Sequence, residues 1–140
     1  MIESNISDAD AEEIRALFLR QAAAEMAHDI EAIDAILARA APGQPDPVSF
    51  IARAYRFWGR EAVLEHFRTV FKGTWRFEPD LSAIRVIRIS ADVAQIYAPT
   101  QITLGPADGP AATYQFLVNE FAVRTSVGWR ISVIVPVPLQ

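Results

Sequence analysis

Few residues in this chain could move a proton or polarise a carbonyl inside an apolar setting. His66 stands first, since an imidazole changes charge near neutral pH and serves as a general acid or base. It lies in Ala62-Val63-Leu64-Glu65-His66-Phe67-Arg68-Thr69-Val70-Phe71. On a helical wheel Val63, Leu64, Phe67, Val70 and Phe71 form a stripe, with His66 at its edge, roughly 100° from the centre. An edge position either looks into a pocket or covers a packing seam with its ring bonded to backbone. Asn119 stands second, beside Glu120 in the apolar run Phe116–Val123. If Leu117, Phe121 and Val123 face inward, Asn119 does too, and its amide can orient a carbonyl or hydroxyl or pair with a neighbouring strand. The opposite parity also turns Arg124 inward, so the apolar pattern favours Asn119 inside and Glu120 outside. Phe18, Met26, Tyr55, Trp58 and Phe121 are candidate walls for a pocket, although aromatics and methionine at such spacings also make ordinary core.

Other chemistries lack their residues. The chain has no cysteine, which excludes disulfides, thiol nucleophiles and thiolate metal sites. Its two histidines, His28 and His66, have no carboxylate at metal-ligand spacing, so no metal is expected. Gly-x-Gly-x-x-Gly, Walker, Gly-x-Ser-x-Gly and His-Glu-x-x-His patterns are missing, and no cofactor is expected. Net charge is −4, and twelve of the thirteen basic residues are Arg scattered along the chain. No basic surface suited to nucleic acid or an anionic membrane follows. The first residues lack a signal-peptide pattern, and no apolar run approaches the roughly 18 residues of a membrane span. A cytoplasmic protein is the expectation, and Asn5-Ile6-Ser7 is then a chance sequon.

At 140 residues, half of them hydrophobic, the chain suits one domain over 1–140 with a proper core. Ser7, with Asp10 three residues on, predicts a cap for a helix over 9–27 whose stripe is Ile14, Leu17, Phe18, Ala22 and Met26. His28-Asp29 breaks it, and Asp29 can cap a second helix to about Arg39. Three prolines within residues 41–47 make a loop. Residues 48–58 predict a strand or short hairpin, and Gly59 can cap a helix over 60–72 that ends at Lys72-Gly73. Arg60 and Glu61 read as structural: Glu61 suits the helix dipole and Arg60 can pair across to the sheet. Strands follow over about 83–89, 93–104, 112–125 and 129–139, separated by Gly- and Pro-containing turns. Helices first and an antiparallel meander after is the α+β pattern. In the last strands apolar residues fall on both faces: Ile131, Val133 and Val135 on one, Ile134 on the other. A homodimer through the sheet explains this, with Tyr97 as an interface residue.

Trp58-Gly59-Arg60-Glu61-Ala62-Val63, His28-Asp29 opening the second helix, and the late pair closing with Gly128-Trp129-Arg130-Ile131 together resemble the nuclear-transport-factor-2-like superfamily. Within it they are most similar to the SnoaL-like group and its SgcJ/EcaC-type branch. The resemblance spans nearly the whole chain. It implies a cone-shaped, cystatin-like α+β fold, a curved sheet around helices, usually dimeric, with an apolar cavity for a small hydrophobic ligand. The superfamily includes a ketosteroid isomerase, cyclases, dehydratases and non-catalytic binding modules, so fold does not give function. This chain departs from the pattern at Arg53-Ala54-Tyr55, where a glycine turn is usual. It departs again at Ile134-Val135-Pro136-Val137-Pro138, where a polar residue often stands. Against the isomerase, the tyrosine's place holds Gln21, the base's place holds Phe50, and the second acid falls at Glu120 or Phe121. Two readings remain. One is cofactor-free isomerisation, cyclisation or dehydration with His66 as acid or base and Asn119 as polarising donor. The other is a non-enzymatic association module whose cone is filled by its own side chains.

Overall fold

A computed structural model describes residues 8–139. Three helices, α1 (Asp8–Ala27), α2 (Ile30–Ile36) and α3 (Arg60–Phe71), pack on a curved, open mixed sheet. Its strands are β1 (Ser49–Ile51), β2 (Arg56–Trp58), β3 (Thr74–Pro79), β4 (Arg85–Arg88), β5 (Val93–Gly105), β6 (Ala112–Thr125) and β7 (Gly128–Pro138). The strand order is β2-β1-β7-β6-β5-β3, with β4 also on β5. All pairings are antiparallel except β1 with β7. The α+β class read from the sequence is thus the class observed. The Ser7 cap lies outside the described residues.

Local chemistry explains the boundaries. α1 stops where His28 takes a left-handed φ of 55°. The N–H groups of His28 and Asp29 then turn back to the carbonyls of Glu25 and Ala24 (3.2 and 3.0 Å), which closes the helix end. Asp29 caps α2 through the Ala32 N–H (3.1 Å), as expected. α2 is shorter than its apolar pattern suggests. Leu37 is already extended, and the Ala38 N–H donates to Ile131 O (2.8 Å), so this segment runs beside β7. Gly59, at φ 88°, makes the left-handed step from β2 into α3. Residues 74–79, passed over as a connector in the sequence, form β3, antiparallel to β5. Pro79 is tolerated because it ends that strand at the sheet edge.

Arg60 does not pair with the sheet. Its Nε donates to Asp46 Oδ2 (2.8 Å) and its Nη1 to Asp34 O (3.0 Å) and to the Asp34 carboxylate. Nη2 serves the carbonyls of Leu37 (3.2 Å) and Ala38. One guanidinium therefore pins the end of α2 and the proline loop to the start of α3. The same contact holds the Asp46 carboxyl below its usual range.

β7 carries an irregularity that resolves its two-faced pattern. Phe121 pairs with Val133 and Ala122 with Ile131, which leaves Ser132 as the extra residue. Trp129 and Ile131 on one side of it, and Ile134 and Pro136 on the other, all point into the protein. The bulge therefore brings Ile134 to the same inner face as Ile131 and leaves Val133 and Val135 on the outer face. Among the described residues, no helix is long and apolar enough to cross a membrane.

Candidate functional site

Between α1, α3, the β1–β2 hairpin and the inner face of the sheet lies a cavity of about 610 Å³. Its wall is overwhelmingly apolar. Phe50, Phe57, Phe67, Phe77, Phe116 and Trp75 supply aromatic surface, and Val118, Ile134 and Pro136 close the sheet side. Besides His66, the polar lining residues fall into two sets. Arg53, Tyr55, Glu65 and Thr69 are exposed residues of the rim, whereas Gln21 and Glu25 are fully buried at the floor.

The floor comes from α1. Starting at Ile14, Leu17 and Phe18, helical spacing carries the buried stripe through Gln21 to Ala24 and Glu25. Gln21 Nε2 donates to Glu25 Oε2 (2.9 Å) and to Glu120 Oε2 on β6 (2.7 Å). Trp75 Nε1, on β3, donates to Glu25 Oε1 (3.0 Å). Two carboxyl groups are thus enclosed with a single amide between them and no cation beside them. Burial raises Glu25 to about 7, against the smaller opposing pull of its bonds from Gln21 and Trp75. Glu120 is pushed well above the ordinary carboxyl range, by burial first and by the neighbouring Glu25 charge as well. Burial thus favours the protonated form of Glu120, and Glu25, at about 7, sits at the balance between acid and base. Gln21 Oε1 and Glu120 Oε1 have no hydrogen-bond partner. A protonated Glu120 has one O–H to place, and Gln21 Oε1 is an acceptor left open in the same cluster.

His66 lies on the α3 wall within an aromatic cluster. Its ring centroid is 4.4 Å from Phe50, 4.9 Å from Phe57, 5.4 Å from Phe67 and 6.2 Å from Tyr55. Nothing charged compensates its burial, which pulls its pKa down to about 4. The ring is neutral at physiological pH, and its Nε2 is buried without a partner. A base with so low a pKa holds a proton poorly at neutral pH.

Of the residues singled out from the sequence, the cavity gathers His66 and Tyr55 alone. Asn119 is a correction, since β6 has the opposite parity: Val118, Glu120 and Ala122 are buried, and Asn119 lies on the outer face. There its amide is spent on the sheet, accepting from Gln95 Nε2 (3.1 Å) and donating to Leu117 O (3.2 Å). Both faces of this strand are almost equally apolar, so hydrophobicity could not select the register, and a one-residue shift exchanges them. The argument from Arg124 fails because the strand outruns the core. Arg124 forks onto Asp10 (2.9 and 3.2 Å) beside the Trp129 ring and stays exposed. Phe121 shares the outer face with Asn119 and does not line the cavity. Phe18 is wholly buried core against Phe77, with centroids 6.1 Å apart, and is not a wall residue. Met26 is 40% exposed because the buried stripe turns away from it toward Glu25 and His28; its Sδ accepts from the Phe77 N–H (3.2 Å). Trp58 is 67% exposed, since its short edge strand points it away from the cavity.

Glu25 and Gln21 were missed as a pair because the sequence stripe was traced through apolar residues only. Strict spacing from Ile14, Leu17 and Phe18 reaches both. Phe50, where the isomerase base would stand, is an apolar wall residue here, and Glu120 is the buried acid.

Similarity to known proteins agrees with this architecture. The fold matches an NTF2-like family protein from Streptomyces avermitilis named as a candidate dehydratase, with TM-score 0.80 and 19% identity over 96% of this chain and 99% of that one. It matches a ketosteroid isomerase-like protein from Erwinia carotovora with TM-score 0.76 and 16% identity, over 96% and 99% of the two chains. A protein with a cystatin-like fold from Caulobacter vibrioides matches with TM-score 0.77 and 16% identity, over 94% and 91%. No curated protein matches the chain significantly. At these identities the structures speak for the fold alone. The model of the SnoaL-like domain matches residues 14–135, nearly the entire described chain, and the protein belongs to the SnoaL-like domain family.

Proposed function

We propose that the protein binds a small, mainly apolar molecule in this cavity and exchanges a proton with it at Glu25, without a cofactor. The carrying observation is a buried carboxyl with a pKa of about 7 on the wall of an apolar cavity of about 610 Å³. That volume falls in the usual range of ligand sites, about 300–1,000 Å³. An acid whose pKa lies near the working pH is suited both to give and to take a proton. Gln21 and Trp75 fix its two oxygens, and Glu120, whose burial favours its protonated form, stands behind Gln21. Isomerisation, dehydration and cyclisation of a carbonyl compound all need such a proton shift. A filled association module is less consistent with a cavity of this volume.

Two measurements test the reading. N-phenylnaphthylamine should fluoresce with the native chain and lose that signal in Val70→Trp, which fills the cavity from α3. Equal fluorescence in a variant of unchanged circular dichroism removes the cavity as the site. Infrared spectra should show a protonated carboxyl band that disappears with a midpoint near 7 and is missing from Glu25→Gln. A band that titrates in the ordinary carboxylate range removes Glu25 from proton transfer.

We also propose a homodimer through the outer sheet face, where Leu117, Phe121, Val133 and Val135 remain only half-buried and Val137 is exposed. A monomeric mass by light scattering at micromolar concentration would overturn it.

A further inference from the structure

Every N–H group at the cavity floor is already committed. Gln21 spends its amide hydrogens on Glu25 and Glu120, and the Trp75 indole N–H goes to Glu25. What remains open toward a ligand is acceptor capacity: an ionised Glu25 can accept at about four lone-pair positions and uses two. No cation stands beside it. Among the lining residues Arg53 is the one guanidinium, and it sits at the exposed rim. α3 lines the cavity along most of its length, through Ala62, Glu65, His66, Phe67, Thr69 and Val70, and places the Glu65 carboxylate at the exposed rim.

We infer that the molecule taken by this cavity carries a hydrogen-bond donor, a hydroxyl or an N–H, at the end it buries against Glu25, and that carboxylate-ended molecules are rejected. The inference rests on the proposed binding role of the cavity and narrows its ligand class. A donor end meets an acceptor that the protein leaves unfilled. An ether of the same shape strands that acceptor, and a carboxylate places like charges together in a medium that screens them weakly. The selectivity depends on pH. Below about 7 Glu25 is protonated and offers an O–H of its own, so the demand for a donor weakens. The groups that share its surroundings are Glu120 from β6, whose carboxyl burial pushes up, Gln21 from α1 and Trp75 from β3; His66 and Glu65 on α3 and Arg53 and Tyr55 on the hairpin line the same cavity.

The test uses the full chain and four probes of one shape: naphthalene, naphthylmethanol, its methyl ether, and naphthoate. On the alkaline side of pH 7, naphthylmethanol should bind about tenfold tighter than the ether. Naphthoate should bind weakest. The alcohol-to-ether ratio should shrink on the acid side and become independent of pH in Glu25→Gln. If naphthalene binds and the alcohol gains nothing over the ether, or naphthoate binds best, the inference falls while the cavity remains a binding site. If none of the four binds, the binding reading falls and takes the inference with it. The pH dependence in the native chain keeps the test decisive should Glu25→Gln fail to fold.

Discussion

Two polar clusters in this protein, one half-buried and one fully buried, are built to opposite rules. The Arg60 cluster is saturated: the guanidinium reaches two carboxylates and three carbonyls, Arg39 adds a second cation at Asp34 (3.0 Å), and elements distant in sequence are fastened together. The Gln21–Glu25–Glu120 cluster is under-supplied: two carboxyls share one amide, one indole N–H and no cation, and two of its oxygens lack partners. Saturation fixes structure, because each group has already found its best partner. Deficit raises pKa values and leaves capacity for something not in the chain. Glu25 is the carboxyl of this under-supplied cluster that opens onto the cavity.

Substitutions should expose this asymmetry. The largest loss is expected for Arg60→Ala, about 3 kcal/mol by urea denaturation, because the carbonyls of Leu37 and Ala38 and two carboxylates lose their donor together. Loss below about 1 kcal/mol would show that water replaces the guanidinium and that the cluster is not a fastening. Next comes a gain. Glu25 is raised from 4.5 to about 7, so its folded form keeps a proton that the unfolded chain releases. Its contribution is full below 4.5 and lost as pH rises through 7, a decline of about 3 kcal/mol. Glu25→Gln should match the native stability in acid and exceed it by about 2 kcal/mol in mild alkali, since one donor then meets an amide N–H₂. Parallel pH profiles for the two proteins would mean that Glu25 is not desolvated.

His66 has the opposite sign. Its pKa falls from 6.5 to about 4, so its contribution is present above 6.5 and lost as pH falls through 4. His66→Phe should therefore be more resistant to acid than the native chain, by about 2 kcal/mol after allowing for partial exposure. At neutral pH the smallest effect is expected, a gain of about 1 kcal/mol from removing the unpartnered Nε2. A clear loss at neutral pH would instead reveal a hidden partner and move His66 into the saturated class.

Legibility followed the same division. Helix periodicity, the Asp29 cap, the Gly59 step and the late strands could be read from the chain because each depends on neighbours within a few residues. The resemblance carried by Trp58-Gly59-Arg60-Glu61 gave the fold, and within it the structural role of Arg60 stood although its partners were misplaced. β3 alternates Trp75 and Phe77 with Arg76 and Glu78, a strand pattern, but it runs only six residues before Pro79 ends it, and pairing with β5 defines it. The site was read in part. His66 and Tyr55 reach the cavity, but Asn119, Phe18, Met26, Trp58 and Phe121 do not line it.

What the sequence determined by itself was class, the order of the helices and the late strands, and the absence of thiol chemistry, all matters of local pattern and composition. Only the tertiary structure decided which face of β6 turns inward and where the β7 bulge falls. Those choices bring Glu120 to within 2.7 Å of Gln21, 99 residues away, and enclose it with Glu25. A carboxyl's pKa depends on what surrounds it in space, and no spacing along the chain encodes the loss of water that makes Glu25 a candidate acid and base.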